Sequence, residues 1–130
     1  MISACETEDG VVFDMSELEA DALRSYADGL VADPKHPFVE LLRSQGLVVG
    51  DTPVPHLAVL LEAFSQATKV LTAWVIAPAG CRRATFFVGP HSAVVSRCDE
   101  GGLYAGEDDL LSVWAIDSAQ LRETFFELSA

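Results

Sequence analysis

Three histidines, three cysteines and a run of acids are the residues of this 130-residue chain most able to do chemistry. His36, His56 and His91 lie far apart, each near a proline-containing turn, and none stands in a His-x-x-x-His, Glu-x-x-His or Cys-x-x-Cys spacing that would gather zinc or iron. Cys81 and Cys98 have arginines beside them, which favours a thiolate, but no histidine is placed by sequence to act as a base. Glu107-Asp108-Asp109 supplies three carboxylates in a row, whereas a calcium loop alternates its oxygen ligands, so these acids read as a solvated turn. Gly101-Gly102 and Gly106 sit in an acidic stretch without the lysine, or the strand-to-helix order, of a phosphate cradle. The expectation is a protein that is not an enzyme, with no catalytic residue, no metal and no cofactor.

Charge narrows the partners. Eight Lys and Arg stand against 20 Asp and Glu, a formal net charge of −12 at pH 7. Nucleic acid and anionic membranes both bind through basic residues that neutralise phosphate, so neither is expected. Half of the residues are apolar, with a mean hydropathy of +0.28, enough to bury a core and too much for a disordered chain. No apolar run is long enough to span a bilayer, the first residues are acidic where a secretory signal is basic, and an odd number of cysteines fits a reducing compartment. A cytoplasmic location is expected, as one domain over residues 1–130 with residues 1–10 a flexible acidic lead.

The elements must position whatever site exists. Val11-Val12-Phe13 reads as a short strand, and Ser16 with Glu19 as a capping box that opens a helix with Met15, Leu18, Ala22, Tyr26 and Leu30 as its stripe and Gly29 as its stop. After a break at Asp33-Pro34-Lys35-His36, Pro37 starts a second helix carrying Phe38, Leu41 and Leu42, ended by Gly46 with Leu47. A Gly50-Asp51-Thr52-Pro53 turn leads to the clearest helix, residues 54–68, with Leu57, Leu60, Leu61 and Phe64 on one side. From Val70 the period falls to two. Val70 to Ala77, Arg82 to Val88, Ser92 to Cys98 and Leu110 to Asp117 read as strands joined by Pro78-Ala79-Gly80, Gly89-Pro90-His91 and a longer acidic loop. Asp117 or Ser118 caps a last helix with Leu121, Phe125 and Leu128 as its stripe. Helices, then strands, then a helix is the α+β order: an antiparallel meander of about four strands with three to four helices packed on one face.

Register arithmetic then assigns two faces. Turns centred on the two Pro- and Gly-containing links pair residues whose numbers sum to about 159 and about 180, the second setting Cys98 opposite Arg82. One face collects Leu71, Ala73, Val75, Ala84, Phe86, Val88 and Val94 and is where the helices should pack. The other collects Thr72, Trp74, Ile76, Arg83, Thr85, Phe87, Ala93, Val95 and Arg97, large apolar groups mixed with threonine and arginine, the types enriched at the centres of protein interfaces. Trp74, Ile76, Thr85, Phe87 and Val95, edged by Arg83 and Arg97, are therefore the expected protein-binding residues. The alternative within the chain is that an N-terminal strand or the last helix folds over this face as a second core layer.

The stretch from about Leu23 to Leu121 resembles one half of the EspG family, the actinobacterial chaperones of type VII secretion. The matching residues are Leu41-Leu42-Arg43-Ser44-Gln45-Gly46-Leu47, Val54 leading into Leu57-Ala-Val-Leu-Leu61-Glu-Ala-Phe64, the strand Val70 to Ala77, Arg82-Arg83-Ala84, Gly89, Ala93-Val94-Val95 and a terminal helix. The resemblance implies two halves related by a pseudo-two-fold, each a sheet with helices, that bind the tips of secreted PE–PPE heterodimers in the cytosol. Since one half is present, it implies homodimerisation that covers the amphipathic face or an edge strand. The function expected is thus a homodimeric, cytoplasmic, chaperone-like protein-binding module. Two rivals stand beside it: a small-ligand or enzyme domain with a cavity between sheet and helices, lined by Trp74 or Trp114 with His91 or Tyr104 as a polar handle, and an acidic decoy or immunity protein that occupies a basic partner's site.

Overall fold

Ser16 closes a strand and opens a helix. Its hydroxyl accepts the Glu19 N–H at 3.1 Å while the Glu19 carboxylate accepts the Ser16 N–H at 3.0 Å, so two N–H groups that the first helical turn would leave bare are both satisfied. Burial acts to raise the Glu19 pKa, but the hydrogen bonds from Ser16 hold it below the ordinary glutamate value. Ser16→Ala should lower stability by about 1 kcal/mol, read as a shifted denaturant midpoint with an unchanged slope.

The computed structural model describes residues 2–7, 10–29, 35–77, 80–98 and 110–129. In chain order these form β1 (Ser3–Thr7), β2 (Gly10–Ser16), α1 (Glu17–Ala27), α2 (Pro37–Ser44), β3 (Val48–Val49), β4 (Thr52–Pro53), α3 (Pro55–Gln66), β5 (Lys69–Ala77), β6 (Gly80–Val88), β7 (Ser92–Cys98) and β8 (Leu110–Asp117), then a 3-10 turn at Ser118–Gln120 and α4 (Leu121–Ser129). At α2 the cap is His36, whose Nδ1 accepts the Phe38 N–H at 3.1 Å, which gives one of the three histidines a structural task. The same helix ends with Gly46 at φ +74°, its N–H bonded to Arg43 O while Leu47 N–H reaches Leu42 O at 2.9 Å. That is the paired C-terminal bonding a left-handed glycine permits. Of the two expected caps of the last helix, Asp117 is the one used, and it forms a capping box with Gln120.

Six strands make one antiparallel sheet in the order β1-β2-β8-β7-β6-β5, and β3 with β4 forms a separate small hairpin. The molecule is a mixed α+β fold, with eight strands where about four are expected from the sequence. Two of the additional strands are the β3–β4 hairpin, read from the sequence as a turn, and two are N-terminal: Ser3–Thr7, expected as a flexible lead, pairs with β2, and β2, expected only as a short strand at Val11–Phe13, pairs with the outer side of β8. Met15, expected in the stripe of the first helix, is a fully buried β2 residue, and Leu23 is the residue α1 buries instead.

The helices do not share one face. Packed with α1, α2 and α3 is a core that includes Phe13, Met15, Leu57, Leu60, Phe64, Val94, Leu111 and Val113. On the opposite face Leu128 of α4 packs with Ala84, Phe86 and Val95, flanked by Val88, Trp114, Ile116 and Leu121. The sheet is thus the middle layer of three, an arrangement that lets strands bury large side chains on both sides.

Candidate functional site

Two turns decide which residues share a face. In the β5–β6 hairpin Ala73 lies opposite Ala84 and Leu71 opposite Phe86, a shift of two residues from the sequence expectation, which leaves the faces unchanged because side chains alternate. In the β6–β7 hairpin Cys98 lies opposite Arg83, not Arg82. Gly89 N–H bonds Ser92 O at 2.9 Å, so the loop is the two residues Pro90-His91 rather than three, and a slip of one residue turns the whole of β7 over.

The consequences for the expected interface are large. Val95 and Arg97 lie on the α4 side of the sheet, and Val95 is fully buried there, so it cannot contribute to a surface. Val94, expected beside Phe86, faces the three-helix core instead. The face bearing Arg83, Thr85 and Phe87, expected to be open, is the one that α1 and α3 cover. Phe87 meets Phe64 edge-on at 5.3 Å between ring centroids, and the Arg24 guanidinium lies 4.8 Å over the Phe87 ring. Arg83 Nη2 donates to Glu17 Oε2 at 2.7 Å. Thr85 Oγ1 is 3.5 Å from Thr72 Oγ1 across the strand pair. Glu17, Asp21 and Arg24 therefore run along the sheet-facing side of α1 around a small pocket of about 50 Å³. Burial, with the nearby Glu17 carboxylate, raises the Asp21 pKa against the opposing pull of Arg24 and Arg83. Arginine on this face serves the α1 contact.

Trp74 and Ile76 stay at the surface, 49% and 70% exposed. They lie on the three-helix face of β5, the strand at the end of the sheet. Val70 on the same face is also exposed, and so is Leu71 on the α4 face, although the sequence reading assigns Leu71 to the core. Phe125 of α4, whose ring lies 5.9 Å from that of Phe86, remains partly open and lines a narrow cleft with Ala73 and Val75. These residues form an apolar strip round the outer edge of the sheet from Trp74 to Phe125, while Leu18, Val49, Val59, Leu110 and Phe126 are exposed elsewhere. Sequence reasoning finds Trp74 and Ile76 and misses Val70, Leu71 and Phe125. The available signal is that the first strand of a meander has a neighbour on one side only, unless something later in the chain returns to it.

Elsewhere, Trp114 and Arg97 line an open trough of about 700 Å³ between α4 and the β1, β2 and β8 strands, with Glu123 and Glu127 on its other wall. His91 sits in the β6–β7 turn, where its carbonyl accepts the Ser118 N–H at 3.0 Å. Tyr104, the glycines from Gly101 to Gly106 and Glu107-Asp108-Asp109 lie outside the described residues, as do Asp99 and Glu100. Cys5 is exposed and Cys98 is buried. Among the described residues no three His, Cys, Asp or Glu side chains converge on a point, and no helix is long and apolar enough to cross a membrane.

No family model, curated protein or solved structure matches this chain.

Proposed function

We propose that this chain is a non-enzymatic, chaperone-like module that binds protein through the strip along β5. The observation that carries this reading is the exposure of Trp74 and Ile76, with Val70 and Leu71, on both faces of a nine-residue terminal strand. Single exposed apolar residues are ordinary, but a contiguous group at a sheet edge marks a place where polypeptide docks. Tryptophan supports the same conclusion, since it is among the residues that dominate binding energy when a partner desolvates them. The resemblance to half of a type VII secretion chaperone favours a cytoplasmic protein of that kind, with a protein as its ligand and a second half supplied by another molecule.

A photo-reactive amino acid in place of Ile76 tests this. The side chain is mostly solvent-exposed, so the fold should tolerate it, and irradiation in the native host should give protein adducts of defined mass. The same group in place of the exposed Val59 on α3 should give none. No adduct at position 76 would overturn the reading.

A further inference from the structure

We propose that β5 is the seam of a homodimer, in which two copies pair their β5 strands antiparallel, edge to edge, about a two-fold axis at Ala73. This rests on the protein-binding reading and names the partner: a second copy of this chain.

The two ends of the sheet are built differently. β1 is five residues long, carries Glu6 and is exposed throughout, the short polar form that discourages a further strand. β5 runs for nine residues, KVLTAWVIA, with no proline and one ionisable group, Lys69, at its start. Among the described residues no strand pairs with its outer side. A long, apolar edge whose one charge lies at its start is a template for another strand and, in a protein that stays in solution, calls for a specific occupant.

The backbone supports one class of register. Gly89 bonds Ser92 across the β6–β7 turn, so by alternation the odd residues of β6 bond β7 and the even ones bond β5. The β5 partners of Ala84 and Phe86 are Ala73 and Leu71. The N–H and C=O groups of Val70, Thr72, Trp74 and Ile76 are then the ones directed away from β6. A two-fold at Ala73 pairs these even residues with each other in hydrogen-bonding positions: Thr72 with the second copy's Trp74, and Val70 with its Ile76. On the other face Leu71 meets the second copy's Val75. Every apolar side chain finds an apolar or threonine partner, and Lys69 lies opposite Ala77, so no like charges meet. The six-stranded sheets then continue as one.

The area of the strip suits a second copy. Aromatic side chains bury about 150–250 Å² each, so Trp74 and Phe125, at 49% and 41% exposed, hold a substantial area between them. With Val70, Leu71, Ile76 and the edge of a nine-residue strand, the strip approaches the roughly 800 Å² per partner of a stable interface. The chain carries a net charge of −12, yet no acid lies on β5, so nothing in the strip selects a basic partner.

Sedimentation velocity, with Thr72→Pro and Ile76→Lys, decides it. Wild type should sediment at twice the 14.0 kDa chain mass. Thr72→Pro removes an outward N–H, which an edge strand tolerates, and should be a folded monomer by circular dichroism. Ile76→Lys places a charge in the seam and should weaken the dimer by about 100-fold or more. Ala73→Cys, in a Cys5→Ser, Cys81→Ser background, should give a disulfide-linked dimer under mild oxidation, because residues opposite at the axis form a non-hydrogen-bonded pair with Cα atoms about 4.5 Å apart. A wild-type monomer that still yields position-76 adducts with other proteins would overturn the dimer and leave the protein-binding reading standing. A monomer with no adducts would overturn both. A dimer that survives Ile76→Lys, without cross-linking at position 73, would overturn the assignment to β5.

Discussion

Phe86→Ala should cost about 3–5 kcal/mol, a large part of the roughly 5–15 kcal/mol that holds a domain of this size folded. Phe86 is 1% exposed on the α4 face, between the strand neighbours Leu71 and Val95 and against the Phe125 ring. Removing it leaves a hole between sheet and helix that the β-strands, fixed by their ladders, cannot close. The effect is a test of the three-layer arrangement. Were α4 not packed on this face, Phe86 would be an exposed side chain on a one-sided sheet, and its loss would change stability by about 0.5 kcal/mol or less. Urea unfolding of the variant distinguishes the two: a midpoint shift with an unchanged slope of the larger size supports the packed helix, and a near-neutral result removes it. Arg82 contributes to the same layer, since its Nη1 donates to the Leu128 carbonyl at 3.2 Å near the end of α4.

The same residue shows how far the sequence can be read. Alternation places Phe86 with Ala73, Ala84 and Val88 on one face, and the structure does too. What alternation cannot supply is which helix covers that face, because α1, α3 and α4 all carry apolar stripes. Local signals with a mechanism are legible: the Ser16 box, Pro37 at the head of α2 and Gly46 at its end depend on residues within one turn. The strands of the meander are legible for the same reason, since period and turn residues are local. The β2–β8 pairing joins residues about a hundred positions apart, as Phe13 with Val113, and nothing in either segment announces the other. That single long-range contact makes β1 and β2 part of the main sheet, occupies the outer side of β8 and leaves β5 as the apolar edge. For the site, the exposure of Trp74 and Ile76 agrees with the sequence reading, though for a different reason: β5 is the end strand of the sheet, while the rest of that face is covered by helices. Val95, Arg97, Arg83, Thr85 and Phe87 are not legible, because a one-residue error in a turn and an unassigned helix layer each move a side chain from one side of the sheet to the other.

Gly89→Ala should destabilise the fold by about 1–3 kcal/mol, against the usual gain of about 0.4–1 kcal/mol when alanine replaces glycine at an unstrained position. The backbone at Gly89 is not left-handed; among the described residues the positive-φ glycines are Gly10, Gly29, Gly46 and Gly50. The requirement is space. A Cβ there would come within 2.9 Å of the Gln66 carbonyl oxygen at the end of α3 and 3.2 Å of the Ser92 oxygen, both backbone atoms that cannot swing away as a side-chain tip can. Ser92 is also the partner of the Gly89 N–H in the two-residue turn, so relief of the clash must come from moving α3 or loosening the turn. Thr68, just past the same helix, bonds Val88 O at 2.9 Å, which ties the entry of β5 to this corner. Loosening it should therefore show as faster amide hydrogen exchange along β5 and at the β6–β7 turn, with little change in β1 and β2. A variant more stable than wild type, with unchanged exchange, would show that the α3 end can move without disturbing the edge strand, and β5 would then have to owe its position to the β6 ladder alone.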